Sequence, residues 1–495
     1  MRLASCILSL LTAATLLPAA PALAAEARAT LDTGVVVGAL DGDVSIFRGV
    51  PYAAPPTGEL RWRAPAPPAA WRGERPAVQF GAPCPQNGGP RIAAGGGRMP
   101  PQSEDCLTLN VWVPAHARGA PVAVWIHGGG NTGGASSGEF YDGSAFARDG
   151  VILVSINYRL GLLGFFAHPA IQTGESGDAN FGLLDQIFAL KWVQKNIAAF
   201  GGDPAKVTVM GESAGGQDVL ALIAAPAARG LFSKAIAESP GGAWERYPAL
   251  AAAKAKGQHV AEGLKATTAA QLRALPVQAL LDAPGAEDVP LVIDGALLVE
   301  SPLRSIALGR APAMPLLIGT NSGEGSLLPP RVTLADGEIK FSPAEVETLK
   351  AAYGSSDQRV LAEYAFRDAF FAGPVRLIAG QWKGPAYLYR FDYVADILRH
   401  RGPDAAHASE IPFVFGTSAL FARTDDDKAV DARLHGCWVA FIKTGVPACP
   451  AAPAWPAYKA SDDKLMLFNA KAEVVANPSA KTIDLIVAKG RERRP

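Results

Sequence analysis

The chain has 495 residues, 49% hydrophobic, 19% charged and 8% aromatic, a balance that excludes disordered, collagen-like and coiled-coil proteins. Lys plus Arg and Asp plus Glu each total 46, so zero net charge gives no electrostatic case for nucleic acid or an anionic membrane surface. Length suggests about three domains, but single α/β domains also grow this large by insertion.

Arg2 precedes an apolar run, residues 7–17, which is followed by Pro18 and Ala22-Leu23-Ala24. This pattern predicts a secretory signal over 1–24, and hence a secreted or periplasmic protein. Leu3-Ala4-Ser5-Cys6 imitates a lipoprotein site but stands before the apolar run, where it cannot serve. No stretch is long enough to span a membrane. Without Cys6 four cysteines remain: Cys84, Cys106, Cys437 and Cys449. An even number in an exported chain implies disulfides with three possible connectivities, and proximity favours Cys84–Cys106 and Cys437–Cys449. With no C-x-x-C and no H-E-x-x-H, neither a metal nor a cofactor is expected.

The Pro- and Gly-rich N-terminal third, as at Val50-Pro51-Tyr52-Ala53-Ala54-Pro55-Pro56, suits surface loops over a sheet. Residues 122–126 and 151–156 are short apolar runs of the buried-strand kind. Leu183, Ile187, Leu190, Val193, Ile197 and Phe200 recur at helical spacing, and Gly201-Gly202 marks the stop. Residues 207–210 form the next strand, then a Gly-flanked turn and an Ala-rich helix; 234–238 and 314–319 repeat the strand pattern. Segments 243–285 and 340–380 are expected to be helical. Alternating short strands and longer helices predict an α/β fold with a largely parallel sheet. Residues 25–495 are expected to form one domain.

The strand at 207–210 runs into Gly211-Glu212-Ser213-Ala214-Gly215, a G-x-S-x-G turn. Such a turn holds its serine in strained geometry at the end of a sheet, above a helix N-terminus, which makes Ser213 the candidate nucleophile. In a bare turn the same serine would only cap the helix. A serine hydroxyl needs a base, and the base needs an orienting carboxylate. Of the histidines after Ser213, His259 falls in a Lys/Ala/Gln-rich helical stretch and His435 on an amphipathic helix. His400 and His407 share a loop after the strand at 387–393, and only His407 is followed by an apolar turn, Ile411-Pro412-Phe413-Val414-Phe415-Gly416. For the acid, Glu324 in Gly323-Glu324-Gly325 competes with Asp294 in Ile293-Asp294-Gly295. Spacing leaves both choices open.

His127-Gly128-Gly129-Gly130 follows the strand at 122–126 and matches an oxyanion motif whose backbone N–H groups, with that of Ala214, can supply three donors. Gly128, Gly130 and Gly133 also satisfy G-x-G-x-x-G, with Asp149 near the acidic position. A dinucleotide site requires a helix to open there, and Asn131-Thr132-Gly133-Gly134-Ala135-Ser136-Ser137-Gly138 lacks helical periodicity.

These motifs resemble the type-B carboxylesterases, an α/β-hydrolase family of bacterial carboxylesterases, para-nitrobenzyl esterases and cholinesterases. The resemblance runs from Phe47-Arg48-Gly49-Val50-Pro51-Tyr52-Ala53 to Pro412-Phe413-Val414-Phe415-Gly416. It includes Ser103-Glu104-Asp105-Cys106-Leu107-Thr108-Leu109-Asn110-Val111-Trp112, Asn180-Phe181-Gly182-Leu183-Leu184-Asp185-Gln186 and Ala199-Phe200-Gly201-Gly202-Asp203-Pro204. It implies a Cys84–Cys106 disulfide, selects Glu324 through Gly319-Thr320-Asn321-Ser322-Gly323-Glu324-Gly325, and selects His407 through His407-Ala408-Ser409-Glu410-Ile411-Pro412. The family's oxyanion donors correspond to Gly129, Gly130 and Ala214. Asn131 departs from the aromatic residue that often follows the glycines, which bears on the acyl-pocket shape. No Trp lies between Cys84 and Cys106, where cholinesterases carry their choline-stacking ring, so a cholinesterase is not expected.

The resemblance implies a serine esterase acting on small-molecule carboxylic esters through an acyl-enzyme. The alternative is a non-catalytic binding or adhesion protein on the same fold, since fold alone does not fix function. Retention of the whole triad favours the enzyme.

Overall fold

The computed structural model describes residues 26–492 except 89–91, 93, 175–176 and 243–246. The expected signal over 1–24, with Cys6, and the end of the basic tail lie outside the described residues. Apolar runs in the sequence become strands covered on both faces. Val122, Val124 and Ile126 pack into one core, and Ala123 and Trp125 into another on the opposite face. That alternation is what a strand's two-residue period produces in the middle of a sheet.

The strands in chain order are β1 (Glu26–Leu31), β2 (Gly34–Asp41), β3 (Val44–Pro51), β4 (Glu74–Pro76), β5 (Thr108–Val113), β6 (Ala120–Ile126) and β7 (Ile152–Ile156). They continue as β8 (Gly202–Glu212), β9 (Lys234–Glu238), β10 (Leu316–Asn321), β11 (Ala386–Phe391), β12 (Lys464–Phe468) and β13 (Glu473–Ala476). All join one sheet in the order β1-β2-β3-β5-β7-β6-β8-β9-β10-β11-β12-β13, with β4 beside β2. From β7 to β12 every neighbour is parallel. Toward the two edges the pairs are antiparallel, except that β4 runs parallel to β2.

The N-terminal third is therefore more than loops. Val35, Val36 and Val37 form β2, and a two-residue turn with Gly42 at φ 59° folds it back onto β3. Segments 243–285 and 340–380 are largely helical where described, as Leu250–Gly263, Pro343–Tyr353 and Gln358–Phe366 illustrate. Among the described residues no helix is long and apolar enough to cross a membrane.

Three helices position the site: α1 (Phe181–Asn196), α2 (Ala214–Ala224) and α3 (Asp425–Thr444). A 3-10 turn, Ile197–Phe200, extends α1 to Gly201, whose φ of 79° supplies the left-handed stop. The start of α1 explains the Asn180–Gln186 motif. The Asn180 side chain accepts from Val292 N and donates to Val292 O, both at 2.8 Å, tying down a distant loop. A Cβ on Gly182 would lie 2.6 Å from Arg159 O. Asp185 takes Nε and Nη2 of Arg159 in a bidentate pair, each at 2.7 Å. Cys84 is bonded to Cys106, and Cys437 to Cys449.

The Arg159 and Asp185 side chains are 4% and 0% exposed, so removing one charge strands the other in the core. Asp185→Asn should cost about 3–5 kcal/mol, read as a lower urea midpoint; an unchanged midpoint would show that the pair carries no such load.

Candidate active site

β8 ends at Glu212, and the chain reverses within one residue into α2. Ser213 at that apex has φ 56° and ψ −124°, a conformation few L-residues adopt. Its N–H donates to Glu238 O at 2.9 Å, clamping the apex to the end of β9. The turn crowds β6 so closely that a Cβ on Gly215 would sit 2.1 Å from Ile126 O. Ser213 stays partly exposed while Glu212 and Ala214 are buried.

Beside it, the segment after β6 carries Gly129 at φ 113° and Gly130 at φ 65°. Among the described residues, the N–H groups of Gly129, Gly130 and Ala214 donate to no other group. A buried polar network fixes this loop. The Tyr158 hydroxyl lies 2.8 Å from His127 O and 3.1 Å from Asn131 Oδ1, sharing one proton between two acceptors. Asn131 Nδ2 donates to Asp218 Oδ1 at 3.1 Å, and Gln186 Nε2 donates to Asp218 Oδ2 at 2.5 Å. Burial pushes the Asp218 carboxyl up to about 7 against these two donors. Asn131 thus serves as a buried anchor in this chain. His127, also buried, is pushed down to about 4 and stays neutral, donating from Nδ1 to Gly128 O at 2.9 Å.

Glu324 follows β10 and is fully buried. Its Oε1 accepts from Ser239 Oγ at 2.6 Å and Asn321 N at 2.8 Å. Its Oε2 lies 2.5 Å from His407 Nδ1, which must carry the proton to face a carboxylate so closely. The loops bearing the two residues are laced together: Gly323 N donates to Ala405 O, Ala405 N to Ser322 Oγ, and His407 N to Ser326 Oγ. No hydrogen bond joins Ser213 Oγ to His407, whose Nε2 faces Glu212 Oε1 at 3.1 Å.

Apart from that ring nitrogen, buried Glu212 has no hydrogen-bond partner among the described residues, and burial raises its pKa to about 8. Burial likewise raises Glu410 to about 7 and Glu238 well above the carboxylate range. For His407 burial works in the opposite sense to its neighbours, yet Glu212, whenever it is ionised, and Glu324 lift it, to about 10.

The other candidates lie apart. Asp294 is a turn residue whose carboxylate accepts from Gly177, Ala296 and Leu298 N–H groups. His259 and His400 are exposed. His435 Nδ1 lies 2.7 Å from Val414 O and its Nε2 3.1 Å from Asp149. No helix opens at Gly128–Gly133, so the dinucleotide pattern has no structural counterpart. Sequence reasoning missed Ser239, Asp218, Glu410 and the role of Glu212. Only Glu212 and Glu410 carried a signal, as members of the Ser213 and His407 motifs.

A serine on a strained strand-to-helix turn, beside a glycine loop and a histidine–carboxylate pair at one edge of a parallel sheet, defines the α/β-hydrolases. Within them the chain belongs to the carboxylesterase family, whose sequence profile matches residues 25–353 and 345–486. It is a carboxylic ester hydrolase. It is 36% identical to the para-nitrobenzyl esterase of Bacillus subtilis, over 93% of this chain and 99% of that one. It is also 36% identical to the fumonisin B1 esterase of Sphingopyxis macrogoltabida, over 84% and 81% of the respective chains. A solved Geobacillus stearothermophilus carboxylesterase superposes with a TM-score of 0.80 at 30% identity, covering 93% of this chain and 99% of that one.

The positive φ at Ser213 predicts stored strain of about 1–3 kcal/mol. Ser213→Gly should therefore unfold at a higher temperature than Ser213→Ala, both lacking the hydroxyl. Equal melting temperatures would mean that the turn is unstrained.

Proposed function

We propose that Ser213 attacks the ester carbonyl, that His407 accepts its proton at Nε2 and later protonates the leaving alcohol, and that Glu324 orients His407. Water then cleaves the acyl-enzyme by the same route. The N–H groups of Gly129, Gly130 and Ala214 receive the oxyanion. The observation that carries this is the 2.5 Å contact between Glu324 and His407 Nδ1, which leaves Nε2 as the only ring nitrogen able to take a proton. Glu212, with its pKa raised to about 8, can hold as a neutral acid the proton it would otherwise share with Nε2. That leaves the imidazole free for Ser213, a contact that commonly tightens only when substrate binds.

Small-molecule carboxylic esters are the proposed substrates. A relative named for para-nitrobenzyl esters makes these, beside short-chain para-nitrophenyl esters, the first to assay. The catalytic unit is residues 25–495, a reading supported by the single continuous sheet from β1 to β13. Two disulfides favour an oxidising compartment, in keeping with the secretory signal expected over 1–24 and with a secreted or periplasmic enzyme.

Ser213→Ala should lower kcat by several orders of magnitude while the protein stays folded, and should abolish labelling by a fluorophosphonate probe. Glu324→Gln should lose kcat severely while Asp294→Asn stays near wild type. Wild-type turnover by Ser213→Ala, or the reverse order of the two acids, would overturn the assignment.

The acid limb of kcat/KM reports the loss of neutral His407. Because carboxylates raise its pKa, that limb should lie above 6.5 in the wild type, with activity falling as pH drops through it. Glu212→Gln keeps a neutral side chain at that position and should leave the limb close to its wild-type pH. A limb moved to lower pH would show that Glu212 is ionised beside His407 and would overturn its role as a neutral acid.

A further inference from the structure

Away from the Ser213 apex, a small cavity opens between β11, the residues 367–376 and the start of the C-terminal helix. Its volume is about 20 Å³, and Arg367, Arg376, Arg390, Thr320, Asn477 and Ser479 supply its polar lining. Three guanidinium groups meet there, and no lining residue is acidic.

Two of the three charges are answered. Arg376 is paired with Asp463 at 2.9 Å and with Asp484 at 2.5 Å. Arg367 Nε donates to Asp368 Oδ1 at 2.7 Å, and the other Asp368 oxygen is held by Tyr353 and Thr482 hydroxyls. Arg390 differs: among the described residues no carboxylate pairs with it. Its Nη1 donates to Ser479 Oγ at 3.2 Å, and Arg367 Nη2 donates to the same oxygen at 3.1 Å. One neutral hydroxyl thus faces two cations. Arg390 Nε is buried with no partner at all. Burial, and then the charge of Arg367, push the Arg390 pKa down to about 10 against the carboxylates of Asp392, Asp368 and Asp404, which lie beyond ion-pair distance.

Arg390 as a whole is half-buried, but a guanidinium with no ion-pair partner and an orphaned buried N–H are both costly. We propose that this cavity binds a single monatomic anion of chloride size, held by Arg390 and Arg367 with Ser479. The size selects the class. A cavity of this size has room for a water-sized particle, which points to a monatomic ion in preference to phosphate or an organic carboxylate. Water would fit but would leave the charge uncompensated.

The site borders the loop of the triad acid without touching the reacting groups. Arg390 is the register partner of Thr320 in the β10–β11 pair. Arg367 Nη1 approaches Ser322 O at 3.4 Å, two residues before Glu324. An anion here would fasten the ends of β10 and β11 where that loop departs, and stability is the property it should change.

The test compares sodium chloride with sodium gluconate at equal ionic strength, using the purified full-length enzyme in halide-free buffer. Chloride should raise the melting temperature by about 1–2 °C or more, saturating with concentration, while gluconate should not. Arg390→Met should abolish the chloride-specific rise. A second measurement does not depend on that variant folding: bromide-soaked crystals should give an anomalous peak within hydrogen-bonding distance of Arg390 Nε. Identical melting in the two salts, an undiminished chloride effect in Arg390→Met, or bromide found only elsewhere would each overturn the proposal.

Discussion

A single imidazole stands among buried carboxylates, and the centre of this protein is organised around that imbalance. Glu212, Glu238, Glu324 and Glu410 are all fully buried. Four ionised carboxyls could not coexist there with one histidine, because desolvation penalises each charge. The protein separates them by their donors. Glu324 receives Ser239 Oγ, Asn321 N and His407. Glu212 receives no such donor, and Glu238 only the Trp438 indole at 2.9 Å. The carboxyl that faces His407 Nδ1 is thus the one best supplied with donors, and Glu212 and Glu238, short of them, are the ones that burial raises.

That arrangement is only as good as the loops that deliver it, and those loops lean on the sheet. β8, β9 and β10 are parallel neighbours, so Ser213, Ser239 and Glu324 all emerge at the same edge. Ser213 N is bonded to Glu238 O, and Ser239 N to Gly319 O, so each strand end braces the next. The glycine loop is held from the other side, through Tyr158, Asn131 and Asp218. Gln186 on α1 completes that network, one residue beyond the Asp185 that grips Arg159. The helix whose start ties down the loop at Val292 therefore also anchors the loop beside Ser213.

How far the site was legible in the sequence follows from the range of each interaction. The turn at Ser213 is local: an apolar strand, two small flanking residues and a helix identify it without any distant contact. Glu324 and Asp294 are both loop carboxylates after apolar runs, and periodicity alone does not separate them. What separates them is Ser239 and His407, 85 and 83 residues away in the chain. Family likeness supplied that choice because it carries long-range contacts that spacing does not. The N-terminal strands were hidden for another reason. β1 and β2 lie toward the sheet edge with some residues exposed, β3 is half-buried behind them, and their Pro- and Gly-rich surroundings read as loop.

The same distinction explains why Asn131 could be noticed but not understood from sequence. As a departure from an aromatic pattern it pointed only to the shape of a pocket. In the fold it is one half of a polar pair: a buried amide whose donor is answered by Asp218 and whose acceptor is answered by Tyr158. An aromatic ring at 131 would leave Asp218 with Gln186 as its only remaining donor, in a core that already raises its pKa to about 7. The two positions are therefore coupled by desolvation. The polar choice at one is tolerable only because of the polar choice at the other, 87 residues along the chain.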